Sequence, residues 1–93
     1  MVKHVYLYKL LPGVEPAEVV EKLKTLKAHI PEIHEMEVAL GFKRASNSYD
    51  LIECCTFLTM DDFLRFGKND YHELIRQYMD TVRACGVKID YEI

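Results

Sequence analysis

The chain has 93 residues, 49% of them hydrophobic, and 12 Lys and Arg against 15 Asp and Glu give a formal net charge of −3. That length suits one compact domain over residues 1–93 and leaves no room for two. Charges of both signs are scattered without a basic stripe, which argues against a nucleic-acid partner, and no apolar run approaches the ~20 residues that span a bilayer, which argues against a membrane one.

The first strand runs from about Val2 to Leu10, and its even positions, Val2, His4, Tyr6, Tyr8 and Leu10, share one face while Val5 and Leu7 share the other. Leu11-Pro12-Gly13-Val14 is turn chemistry. Pro16 suits the first turn of a helix whose apolar stripe is Val19, Leu23, Leu26 and Ile30, ending at Pro31. Ile33 to Phe42 alternates again, with His34, Met36, Val38, Leu40 and Phe42 on one face, Glu35 and Glu37 on the other, and Gly41 as a bend or bulge. A polar loop leads to a third strand from Tyr49 to Phe57, antiparallel to the second.

Thr59 and Asp62 have capping-box spacing and open a short helix through Phe63, Leu64 and Phe66 to Gly67. Asp70 and Glu73 repeat the signal for a longer helix that turns Leu74, Ile75, Tyr78, Met79 and Val82 inward and closes at Gly86. Val87 to Tyr91 is the last strand. The order β-α-β-β-α-β is a ferredoxin-like α+β fold, a four-stranded antiparallel sheet with its helices on one face. The opposite face, to which the alternation assigns His4, Tyr6 and Tyr8, has nothing in this chain to cover it, and a second copy is the economical lid.

Two histidines stand out as acid-base candidates. His4 lies on the first strand beside Tyr6 and Tyr8, and His72 lies in the first turn of the second long helix, where the helix dipole disfavours the charged imidazole. His29 and His34 flank the helix stop at Ile30-Pro31 and read as exposed. The histidine spacings match no zinc motif, so no metal is expected. Asp61 and Asp62 read as a helix start, Asp90 and Glu92 as strand-edge charge. Neither a Gly-rich phosphate loop nor G-x-S-x-G is present, which removes the commonest nucleotide and hydrolase readings and leaves no cofactor expected. Cys54, Cys55 and Cys85 form neither an even set nor a C-x-x-C motif, and the first residues do not read as a secretory signal. Both features point to the cytoplasm. Cys54 and Cys55, adjacent on a strand, face opposite ways.

MVKHVYLYKLLPGV, the helix ending in Ile30-Pro31, YDLIECCTF, the histidine in FGKNDYHELI and the closing KIDYEI together resemble the stress-responsive A/B barrel domain, or Dabb, family. The resemblance covers essentially the whole chain and rests most on His4, Tyr49-Asp50, His72 and Asp90-Tyr91. It implies a homodimeric α+β barrel paired through sheet faces, holding a small apolar or aromatic molecule in a cavity between sheet and helices. One plant member is a polyketide cyclase whose histidine on the helix matches His72 and whose first-strand histidine matches His4. Its tyrosine, six positions before the helical histidine, is Phe66 here, and a phenyl ring cannot supply the hydroxyl that helps to polarise the substrate. Of the family's His-Pro-x-His segment, Asn69-Asp70-Tyr71-His72 keeps only the last histidine. Two functions follow as expectations. One is a small-molecule-binding or stress-associated barrel whose biochemical activity is not established; the other is a cofactor-independent cyclase-like or isomerase-like enzyme with His72 as general base, His4 assisting, and Tyr6, Tyr8 and Phe66 lining the cavity.

Overall fold

A computed structural model describes residues 1–93. The elements are β1 (Val2–Leu10), α1 (Pro16–His29), β2 (Glu35–Leu40), β3 (Leu51–Phe57), α2 (Met60–Gly67), α3 (Asp70–Val82) and β4 (Arg83–Glu92). The strands form one antiparallel sheet in the order β2-β3-β1-β4. This is the ferredoxin-like arrangement, with the second α unit divided into α2 and α3. No helix is long and apolar enough to cross a membrane.

The helices start where local chemistry satisfies their first N–H groups. The Glu15 carboxylate accepts from Ala17 N ahead of Pro16, and Thr59 Oγ1 accepts from Asp62 N at 3.1 Å. The cap of α3 is Asn69, not Asp70: Asn69 Oδ1 accepts from Tyr71 N at 2.8 Å and His72 N at 3.2 Å. Asn69 has the extended backbone a cap requires, whereas Asp70 is already the first helical residue.

All three helices cover one sheet face. Val19, Leu23, Leu26 and Ile30 at the end of α1, Phe66 of α2, and Ile75 and Met79 of α3 close over Val2, Tyr8, Leu51, Cys55 and Phe57. Leu74, expected inward, is 60% exposed, because the stripe of α3 passes through Ile75 and Met79 and leaves its neighbour turned outward.

The face assignment of β1 is reversed. His4, Tyr6 and Tyr8 lie under the helices with Val2, and the open face carries Lys3, Val5 and Leu7 beside Ile52, Cys54, Val87, Ile89 and Tyr91. Strand periodicity separates the two sets but does not tell which set meets the helices, since both are apolar. Val87 and Ile89 are 50% and 61% exposed, so the open face is an apolar surface in the single chain.

Several strand boundaries also differ from the sequence reading: β2 starts at Glu35 rather than Ile33, β3 at Leu51 rather than Tyr49, and β4 at Arg83 rather than Val87. β2 stops at Leu40, paired with Leu51, and Phe42 lies beyond the hairpin, 94% exposed. β3 begins at Leu51, and Asp50 before it bonds to both neighbours: its N–H donates to Tyr8 O, its carbonyl accepts from Gly41 N at 2.9 Å, and its carboxylate accepts from Leu10 N at 2.7 Å. Helix α3 ends at Val82, and Gly86 lies inside β4 rather than at a helix terminus. A Cβ there would come within 2.4 Å of the Tyr6 ring and 3.1 Å of Leu7 O, so this is a position of close approach.

Candidate functional site

A cavity of about 260 Å³ opens between the sheet and α3. β1 contributes His4, Tyr6 and Tyr8, β3 Glu53, α3 His72, Glu73, Arg76, Met79 and Asp80, and β4 Arg83 and Lys88. Both candidate histidines therefore border one space. Phe66 does not line it; 1% exposed, it packs between them, its ring centroid 5.8 Å from His4 and 3.9 Å from His72. The two remaining histidines are exposed, with His29 stacked on Tyr71.

His72 owes its state to its surroundings. The Asn69 cap fixes the first turn of α3, and His72 Nδ1 donates to the Phe66 carbonyl at 2.9 Å. A carbonyl only accepts, so Nδ1 carries the proton and Nε2 is the basic nitrogen. Burial lowers its pKa from 6.5 to about 4; the Phe66 carbonyl opposes the change, and Arg76 and His4 add to it. The imidazole is a neutral base at ordinary pH.

His4, 7% exposed, stands opposite Asp90 in the β1–β4 ladder, and its Nδ1 donates to the Asp90 carboxylate. Asp90 is thus an orienting partner for His4 rather than the edge charge expected of it, leaving Nε2 as the second ring nitrogen. Sequence alternation gives the face of Asp90, but only the strand register places it opposite His4.

Glu53 is the residue that sequence reasoning passed over. It is 3% exposed, accepting from the Tyr8 hydroxyl at 3.2 Å. Burial raises its carboxyl pKa, with His4 and the Tyr8 hydrogen bond opposing, and burial followed by Glu53 pushes the Tyr8 phenol well above its ordinary value. The visible signal was a single acid in the apolar run LIECCTF, which a strand covered on both faces can bury only with a partner. Tyr6 stacks on Tyr8 with centroids 4.3 Å apart, and its hydroxyl accepts from Arg83 Nη1 at 2.8 Å. Nowhere do three His, Cys, Asp or Glu side chains converge as a metal site.

The model of the stress responsive A/B barrel domain matches residues 2–93. The chain belongs to the Dabb family. No curated protein matches the Dabb chain in sequence. Solved structures do share its fold. A dimeric protein of unknown function from Bacteroides fragilis is 22% identical with a TM-score of 0.79, covering 99% of this chain and 95% of its own. A dimeric ferredoxin-like protein of unknown function from Thermobifida fusca is 20% identical with a TM-score of 0.85, covering 99% and 90%. The hydroxynitrile lyase of Passiflora edulis is 15% identical with a TM-score of 0.87, covering 99% and 92%. At these identities the likeness is one of fold.

Proposed function

We propose that this Dabb protein is a cytoplasmic homodimer, paired through its open sheet faces, that takes a small aromatic molecule into the cavity between sheet and α3. The dimeric Bacteroides and Thermobifida relatives support the assembly, as does the apolar set Val5, Leu7, Ile52, Val87 and Ile89. Burying several hundred Å² of such surface yields on the order of 10 kcal/mol before association costs. The three free cysteines suit a reducing compartment, and the stacked Tyr6 and Tyr8 rings form an aromatic wall.

One observation carries the reading further, towards an enzyme: a neutral His72 whose Nε2 is basic shares the cavity with an Asp90-oriented His4. In this role His72 removes a proton from an acidic C–H or hydroxyl, His4 assists, and the lining tyrosines position the substrate, with Phe66 bracing both imidazoles from behind. No cofactor enters such a step. A base of this kind gives typically about 10²- to 10⁴-fold. Kemp elimination of 5-nitrobenzisoxazole, which reports a desolvated base independently of the natural substrate, tests it. The wild type should accelerate the reaction with a pH-rate inflection near 4, and His72→Ala should lose the acceleration. Equal rates in the two proteins would remove His72 from the mechanism.

A further inference from the structure

The cavity is more polar than a purely aromatic ligand needs, since only three of its eleven lining residues are hydrophobic. Its three cations differ in how far they are engaged. Arg76 bonds Glu73 at 2.7 Å and the Gly67 carbonyl at 3.1 Å, and Arg83 bonds Asp80 at 2.6 Å and the Tyr6 hydroxyl at 2.8 Å. Lys88 takes part in none of the ion pairs of the molecule. It stands opposite Tyr6 in the β1–β4 ladder, on the helix-covered face, so Lys88 and Arg83 approach the same tyrosine from one strand. The acids of the lining are already occupied, Glu73 and Asp80 by arginines and Glu53 by Tyr8. What remains is one ammonium without an ion-pair partner in the lining of a cavity that also holds His72.

A neutral ligand filling this space would desolvate Lys88 without replacing its water, whereas an anion would pair with it. One free cation matches one negative charge; a phosphate dianion would call for more. We infer that the ligand is a small organic acid, its carboxylate bound by Lys88 with Arg83 and its hydrocarbon part lying along Tyr6 towards His72. The inference rests on the reading of this cavity as the binding site and names the class of compound it admits.

Benzoate, its neutral analogue benzamide and phenyl phosphate serve as probes, each titrated into the dimer while the amide resonances of Tyr6, His72 and Lys88 are followed by NMR. Benzoate should bind about tenfold more tightly than benzamide, and Lys88→Gln, a change at an exposed position, should abolish that preference while leaving benzamide unaffected. Equal binding of benzoate and benzamide at these resonances would overturn the acid and leave the cavity standing. Tighter binding of phenyl phosphate, or a benzoate preference that survives Lys88→Gln, would also overturn it. Failure of every probe to move the three resonances would overturn acid and cavity together.

Discussion

His72 shows how one backbone carbonyl and a buried ring can define the chemistry of a site. The Phe66 carbonyl selects the tautomer, and burial against the Phe66 ring keeps the imidazole uncharged. Linkage attaches a stability consequence. The folded pKa of about 4 lies below the ordinary value of 6.5, so the unfolded chain binds the extra proton between them. The contribution of His72 is therefore complete above 6.5 and is lost as pH falls towards 4. Below that, Asp50 adds a second loss: the Leu10 N–H, then Lys43, holds its carboxyl under 3.8, and protonation releases both partners. Gly86 acts at the same scale by sterics. Gly86→Ala would set a methyl 2.4 Å from the Tyr6 ring, costing about 1–3 kcal/mol and turning that ring away from Tyr8. Chemical denaturation and the Tyr6 aromatic resonances check both effects; an unchanged midpoint with unmoved resonances would show that the ring yields freely.

Among the elements, α3 positions most of the site, and its start depends on Asn69. Asn69→Ala leaves the Tyr71 and His72 N–H groups without their acceptor, an expected loss of about 1 kcal/mol, and it loosens the turn that holds His72. Thermal unfolding measures the first effect and the His72 ring resonances the second; Asp70→Ala should cost less, since Asp70 is inside the helix. The elements themselves were largely legible: the stripe through Val19, Leu23, Leu26 and Ile30, the Thr59 cap and the alternation of β1 are short-range patterns written in neighbouring residues. Facing and register were not. Val2-Lys3-His4-Val5 presents apolar groups to both sides, so the helix-covered set is fixed only by packing, and the meeting of His4 with Asp90 joins residues at opposite ends of the chain. In sequence Gly86 resembles a helix stop because glycine commonly ends helices, but here its missing Cβ makes room for a ring from β1.

For the whole molecule, the reversal of faces divides the labour of the sheet. The covered face carries the ionisable groups of the cavity, and the open face carries Val5, Leu7, Ile52, Val87 and Ile89, free to meet a second copy. The proposed assembly and the proposed chemistry are then separable by mutation. Ile89→Asp places a charge on an open-face position that is 61% exposed in the single chain, so the fold should survive with an unchanged far-UV circular dichroism spectrum while sedimentation changes from dimer to monomer. A dimer that persists would place the contact elsewhere. The same variant should leave the His72 tautomer intact, because Phe66 and Asn69, which fix it, belong to the same chain.

The most direct measurement is an NMR titration of the His72 imidazole between pH 3 and 8, with nitrogen shifts reporting the tautomer. The midpoint should lie near 4 and the neutral form should be protonated at Nδ1, with the curve displaced when His4 is replaced by Ala. A midpoint at 6.5, insensitive to His4, would contradict this: His72 would then be a solvated surface group rather than a desolvated base within the cavity.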